Sequence, residues 1–74
     1  MISDQNTAEH ISDLMLEIYR LLDESDRMVK KTCSADDIAA YQRAVGRILS
    51  PIFVEVLNPL YAEHPALKPA NWDD

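Results

Sequence analysis

One apolar-rich stretch, residues 38–60, constrains the fold more than any other part of the sequence: IAAYQRAVGRILSPIFVEVLNPL. Its apolar residues recur at steps of three or four, which is the spacing of one face of an α-helix. This face consists of Ile38, Tyr41, Val45, Ile48, Ile52, Val56 and Leu60. Between Pro51 and Leu57 only Glu55 is polar. We therefore expect burial on more than one side, and a lone hairpin cannot supply that much cover.

Pro51 interrupts this helix, because it has no N–H to donate to the carbonyl of Arg47 and its ring crowds the preceding turn. Two paths are open. The helix bends at Pro51, or it ends and Ser50 caps a new helix with Pro51 in its first turn. The apolar stripe keeps its phase across the proline, so we predict a bent but continuous helix. Gly46 is a second weak point, at about 1 kcal/mol relative to alanine.

A first helix is predicted from a cap at Asn6 or Thr7 to about Val29. Asn6 followed three residues later by Glu9 resembles a capping box. The apolar face has one polar gap, at Ser25, and otherwise follows the three-or-four repeat. It consists of Ile11, Leu14, Met15, Ile18, Leu21, Leu22, Met28 and Val29. Leu16 and Tyr19 lie off this stripe and indicate a second contact surface.

Residues 32–34 form a short link between two helices of equal length. Ser34 followed by Asp37 is a helix-cap signature, and Asp36 also falls in the first turn of the second helix. Two equal helices joined by a short link form an antiparallel helical hairpin. Asn58 and Pro59 are a further stop-and-restart signal, which predicts a short C-terminal helical turn.

Residues 64–74 are predicted to form an extended tail, because Pro65 and Pro69 rule out a regular helix. Leu67 and Trp72 are too apolar to remain in water, so we expect them to fold back over the hairpin or to cover a partner subunit. Residues 1–6 are expected to be frayed. No repeat or linker divides the chain, so residues 1–74 form a single small helical domain.

The predicted fold class is all-α: an antiparallel two-helix hairpin with a kinked or split second helix and a short C-terminal turn. A chain of 74 residues is short enough that oligomerisation commonly supplements its core. Both helices carry apolar residues on more than one side, which predicts a homodimer in the form of a four-helix bundle. The predicted interface residues are Tyr41, Val45, Ile52, Phe53, Val56, Tyr61, Leu67 and Trp72.

The charge balance argues against a nucleic-acid partner. Seven basic residues face thirteen acidic ones, for a net charge of −6, whereas DNA affinity rests on Lys and Arg at phosphates. No apolar run approaches the roughly 20 residues needed to span a membrane. The single cysteine excludes an intrachain disulfide, and no secretory signal is visible. We therefore expect a cytoplasmic protein.

Few residues suggest chemistry. His10 lies beside carboxylates on the first helix, but the Glu-x-x-His spacing of helical metal sites is absent. His64 is the better candidate for a contact residue, because it lies in a loop. Cys33 lies near Lys30 and Lys31, yet no second cysteine or neighbouring histidine supports a reactive role. With one glycine, a glycine-rich phosphate loop is excluded. We predict no metal, cofactor or catalysis.

The predicted function is that of a small acidic protein–protein interaction module, such as an adaptor, regulator or small subunit, acting as a homodimer. One alternative is a metal- or small-ligand-binding helical bundle that uses His10, His64 and carboxylates. A second alternative is an acidic inhibitor or nucleic-acid mimic, which requires negative charge gathered on one face.

Overall fold

The computed structural model describes residues 1–72. Within this range all regular secondary structure is helical, and there is no strand. Its elements are α1 (Gln5–Thr32), α2 (Ala35–Pro51), a π-helical turn (Ile52–Leu57), α3 (Asn58–Glu63) and a 3-10 turn (Pro65–Leu67). The predicted all-α helical hairpin is therefore confirmed. No helix among the described residues has the length and apolar content needed to cross a lipid bilayer.

Helix α1 begins earlier than its sequence predicts. Asp4 is the N-cap: its carboxylate accepts hydrogen bonds from the backbone N–H of Thr7 at 2.9 Å and from the Thr7 hydroxyl at 2.7 Å. The prediction of Asn6 or Thr7 as the cap is wrong, and Gln5 and Asn6 are helical rather than frayed. An aspartate with a threonine three residues later satisfies two donors at once, so it outcompetes the asparagine further along.

The link between the two long helices follows the prediction closely. Cys33 closes α1, and the Ser34 hydroxyl accepts a hydrogen bond from the backbone N–H of Asp37 at 3.2 Å. Asp36 and Asp37 occupy the first turn of α2, where negative charge favours the positive end of the helix dipole. The resulting rod measures 44 × 19 × 16 Å. Over most of its length it is only two helices wide.

The second helix continues through Pro51, as predicted, by means that the sequence analysis did not anticipate. The six residues after the proline widen into a π-helical turn, in which the backbone N–H of Asn58 bonds to the carbonyl of Phe53, five residues back. Proline removes one N–H and crowds the preceding turn, and a wider turn accommodates both effects. The predicted short C-terminal helix is α3, with Pro59 in its first turn. Asn58 does not cap it, because Leu57 and Asn58 both have helical backbone angles and the chain continues directly from the π-helical turn.

The core lies at the end of the rod where α1 begins and α3 ends. Leu57 and Leu60 are fully buried there, with Ala8 and Tyr61 around them. Burying two leucine side chains contributes about 1.5–3 kcal/mol each. Half-buried apolar residues from the chain ends, the start of α1 and the π-helical turn complete this core, namely Ile2, Ile11, Met15, Leu16, Ile52, Phe53, Leu67 and Trp72.

The C-terminal segment turns back instead of running out as an extended tail. After the 3-10 turn, the backbone N–H of Trp72 bonds to the carbonyl of Pro69 at 3.1 Å. Leu67 and Trp72 both pack against the core of their own chain. This is the first of the two predicted alternatives. The last two residues of the predicted tail, 73 and 74, lie outside the described residues.

Candidate functional site

An apolar stripe on α1 is left without cover. Leu14, Ile18, Leu21 and Met28 step by four, three and seven residues along the helix, which is the spacing of a heptad seam. All four are exposed, Leu21 by 51% and Met28 by 64%. Ser25 lies at the missing position of the repeat. Such a seam is the surface with which one helix packs against another.

Helix α1 uses a different face for its own hairpin. Ala8 and Ser12 are buried, and Met15, Leu22 and Val29 are half-buried. Viewed along the helix axis, these residues lie to one side of the exposed stripe. The hairpin therefore covers one flank of the apolar face of α1 and leaves the other flank to solvent.

Helix α2 adjoins the same exposed side. The hydroxyl groups of Ser25 and Tyr41 share a hydrogen bond of 2.7 Å, which places these residues opposite each other in the hairpin. The two helices are antiparallel, so counting seven residues back from Ser25 on α1 matches counting seven residues forward from Tyr41 on α2. Ile18 and Ile48 therefore lie at the same level along the hairpin. Ile48 is 51% exposed. We call Leu14, Ile18, Leu21, Met28 and Ile48 the outer seam.

A groove opens on another side of the hairpin, beneath the returning C-terminal segment. It has a volume of about 640 Å³. Its walls come from α1, the π-helical turn, α3 and the C-terminal segment, and we call it the aromatic groove. The lining residues are Leu16, Tyr19, Phe53, Asn58, Pro69, Asn71 and Trp72.

Aromatic rings form the floor and rim of this groove. The Tyr19 and Phe53 rings meet edge to face with centroids 5.6 Å apart, and Phe53 and Trp72 lie 5.3 Å apart. Tyr61 meets Trp72 edge to face at 5.1 Å from below. Such separations stabilise aromatic pairs by about 0.5–1.5 kcal/mol beyond burial. Tyr19 and Leu16, which lie off the predicted stripe, therefore serve a second contact surface within the chain.

A smaller depression of about 190 Å³ continues from Tyr19 along the hairpin. We call it the acidic notch. Asp23 and Asp26 contribute its polar wall together with Gln42 of α2. Gly46 lies at its base, where a Cβ atom would have no neighbour within 4 Å. Gly46 therefore faces open space.

The two carboxylates of the notch differ in how they are satisfied. Asp23 pairs with Arg27 at 3.2 Å, and Asp26 Oδ2 pairs with Lys30 at 3.2 Å. Asp26 Oδ1 is buried and accepts no hydrogen bond from the described residues. A buried acceptor left unmatched costs about 1–3 kcal/mol, and rotation of the carboxyl group would turn this oxygen toward a donor in the notch.

The exposed edge of α1 beside the outer seam carries an ionic cluster. Arg20 bonds to Glu17 and lies 3.4 Å from Glu24. The hydrogen bond from Arg20 lowers the pKa of Glu17, and the same bond raises the pKa of Arg20. On α2, Arg43 and Arg47 form no ion pair with any residue of the described range.

His64 serves the fold. It is buried, and its Nε2 lies 2.6 Å from the carbonyl oxygen of Ile2, to which it donates a hydrogen bond. One residue earlier, Glu63 bonds to the Met1 ammonium at 2.7 Å, and that hydrogen bond lowers the pKa of the Glu63 carboxyl. These contacts hold the N-terminal segment against the end of α3.

The other candidates for chemistry are scattered. His10 is exposed on α1, and Cys33 is exposed at the end of that helix, 3.5 Å from the Thr32 hydroxyl. No group of three or more histidine, cysteine or acidic side chains in residues 1–72 is arranged to hold a metal ion.

The predicted interface residues lie mostly inside the chain. Val45 and Tyr61 are buried, and Tyr61 also bonds to the buried Ser12 hydroxyl at 2.5 Å. The remaining six are half-buried, namely Tyr41, Ile52, Phe53, Val56, Leu67 and Trp72. The structure brings Phe53, Trp72 and Tyr61 together around the aromatic groove. Their role at an interface stays a prediction.

The predicted apolar face of the first helix includes Leu14, Ile18, Leu21 and Met28, and the structure leaves these four residues exposed. Periodicity alone does not distinguish them from the residues of the same face that the hairpin covers. Comparison of the chain with protein-family models, with curated proteins and with solved structures finds no match.

Proposed function

We propose that the chain is a protein–protein interaction module that acts as a homodimer and has no catalytic role. The observation that supports this most strongly is the outer seam. Exposed apolar residues scattered singly are ordinary, whereas an ordered row on one side of a molecule marks an interaction surface. The row spans about four turns of α1, from Leu14 to Met28, and is joined by Ile48 of α2.

The partner that fits best is a second copy, in a four-helix arrangement. A two-fold axis parallel to the helices sets α1 of each copy antiparallel to α2 of the other. Leu14, Ile18 and Leu21 of one copy then pack beside Ile48 of its partner. Ser25, held by Tyr41, is the polar position that fixes the register of such a seam.

Charge complementarity supports the same arrangement. Glu17 and Glu24 flank the outer seam on α1, and Arg47 directly precedes Ile48 on α2. The hairpin register that sets Ser25 opposite Tyr41 places Arg47 at the level of Tyr19, between those two acidic residues. In the two-fold dimer, Arg47 of each copy therefore meets the ionic cluster of the other, where two glutamates and Arg20 leave a net negative charge. Opposite charges at the rim favour this orientation over one in which α1 of each copy runs parallel to α2 of the other.

A cytoplasmic location is part of the same proposal. Cys33 is exposed and has no second cysteine in the chain to pair with. Reducing compartments keep such thiols free, whereas oxidising ones join them between molecules.

The test is the mass in solution of the wild-type chain and of Leu21→Glu. We expect two chains per particle for the wild type and one for the variant, because a carboxylate in the seam would be buried without a partner. Val54→Glu is the matched control: Val54 is 60% exposed but lies on the π-helical turn, outside the seam. A wild-type monomer, or a Leu21→Glu dimer, would refute the proposal.

The orientation has its own test. Arg47→Glu should weaken the dimer at low salt, and Arg47→Glu combined with Glu24→Arg should restore much of the loss. Rim charge pairs contribute about 0.2–1 kcal/mol, so sedimentation over a range of concentrations is needed to see the difference. If the single and double variants dimerise equally, the dimer with its two-fold axis parallel to the helices is excluded.

A further inference from the structure

The aromatic groove and the acidic notch adjoin at Tyr19, whose side chain lines both. The groove is mainly apolar and aromatic, with the amides of Asn58 and Asn71 as polar groups. Its volume lies within the roughly 300–1,000 Å³ of ligand-binding clefts, and that lining is typical of them. A widened π turn contributes Phe53, and such turns occur frequently at functional sites.

The carboxylates of the notch favour a positively charged group on any ligand that binds this surface. Asp26 Oδ1 is buried without a donor among residues 1–72, and Asp23 lies beside it. The cations that pair with these carboxylates, Arg27 and Lys30, are themselves exposed by 75% and 52%, so their pairing is weak. A guanidinium presents five N–H donors in a planar fork and suits two neighbouring carboxylates.

The distance between the aromatic groove and the acidic notch suits an extended ligand. Tyr19 and Asp26 are seven residues apart on α1, which corresponds to about 10 Å along a helix at 1.5 Å per residue. An extended or polyproline chain advances about 3.1–3.4 Å per residue. Three or four residues of such a chain therefore span the distance from the groove to the notch.

We propose that this surface binds an extended peptide segment of another protein. Proline or other apolar side chains of the segment occupy the aromatic groove, and an arginine three or four positions away enters the notch. Aromatic-lined grooves that receive proline-rich chains are an established mode of peptide recognition. The net charge of −6 favours a basic segment over an acidic one.

This inference names a partner class for the interaction module proposed above, but it does not depend on dimerisation. The groove is lined by Leu16 and Tyr19 of α1, whereas the outer seam lies on the flank that carries Leu14, Ile18 and Leu21. A copy whose seam is occupied therefore still presents its groove. The monomeric variant Leu21→Glu should bind peptide as the wild type does, which separates failure of one proposal from failure of the other.

The experiment is selection of a random twelve-residue phage-display library on the full chain. We expect enriched peptides to carry arginine or lysine three or four positions from proline or a large apolar residue. Synthetic copies of the enriched peptides are then titrated against Asp26→Asn and against Asp13→Asn, an exposed aspartate of α1 outside the notch. Hydrogen bonds between charged groups predict a roughly 10- to 100-fold loss of affinity for Asp26→Asn and none for Asp13→Asn.

Three results would overturn the proposal: no enrichment, enrichment of peptides without a basic residue, or equal binding by the two aspartate variants. Asp26 is partly buried, so the folding of Asp26→Asn is checked by thermal melting before titration. If that variant melts early, Gly46→Met provides the second probe. Its side chain fills the open space at the base of the notch and should reduce binding of the basic peptides while sparing short apolar peptides without a basic residue.

Discussion

The hydrogen bond between Ser12 and Tyr61 should show strong coupling in a double-mutant cycle. The two hydroxyl groups lie 2.5 Å apart, and both residues are more than nine-tenths buried. They are 49 positions apart in sequence, so the bond joins the start of α1 to α3. Burial shields both hydroxyl groups from solvent, so a lost partner is not readily replaced.

The single substitutions should differ in magnitude. Ser12→Ala leaves the Tyr61 hydroxyl buried without a partner and should cost about 1–3 kcal/mol. Tyr61→Phe should cost about 1 kcal/mol, because the serine hydroxyl can turn to the carbonyl four residues back in its own helix. The double variant removes both polar groups and should cost less than the sum, with a coupling energy of about 1–2 kcal/mol.

Urea unfolding followed by circular dichroism and by Trp72 fluorescence measures all four corners of the cycle. A loss of 1 kcal/mol lowers the melting temperature of a domain of this size by about 4–8 °C, which thermal melting can check. All proteins are compared at one concentration, because the proposed dimerisation would make stability depend on concentration. Additive losses in the double variant would show that the two hydroxyl groups are not bonded in the folded chain.

Three further predictions concern the helices. Ser34→Ala removes the cap of α2 and should lower stability by about 1 kcal/mol, whereas Ser34→Asp should retain it, as measured by urea unfolding. Gly46→Ala should raise stability by up to about 1 kcal/mol in the same assay, because its Cβ meets no neighbour within 4 Å. Hydrogen bonds from the Thr7 hydroxyl and backbone lower the pKa of Asp4 below its usual value of 3.8. The stabilisation from this carboxylate is therefore fully present above pH 3.8 and is lost as the pH falls through the lower folded value. Asp4→Asn keeps the cap without a titrating group, so its stability should fall less than that of the wild type over this acid range.

The parts of the fold that local rules control could be predicted from the sequence. The cap at Ser34 with Asp36 and Asp37 follows from short-range hydrogen bonding and the helix dipole. Continuity through Pro51 followed from the unbroken phase of the apolar stripe. The short helix expected after Asn58 is present, but without the cap that the sequence suggested. Leu57 and Leu60, three residues apart, are both buried on one side of a path that stays helical through Asn58.

The rotation of α1 about its own axis could not be predicted. The apolar face of that helix is wide, and periodicity alone does not say which flank the hairpin partner takes. The choice depends on Tyr61 and Trp72, which return from the far end of the chain to meet Ser12 and Phe53. Those contacts turn the Ala8 side of α1 inward and leave Leu21 outside. The candidate site therefore arises from long-range packing, and its seam, groove and notch were not identified from sequence.

The pairing of the outer seam is tested most directly by isotope-filtered NMR on an equal mixture of labelled and unlabelled chains. Only contacts between molecules give filtered signals, so the experiment reports which side chains meet across the interface. If the seam pairs as proposed, the methyl groups of Ile18 and Leu21 in one copy contact Ile48 in the other. Intermolecular contacts confined to other residues, or none in a sample that is fully folded, would contradict it.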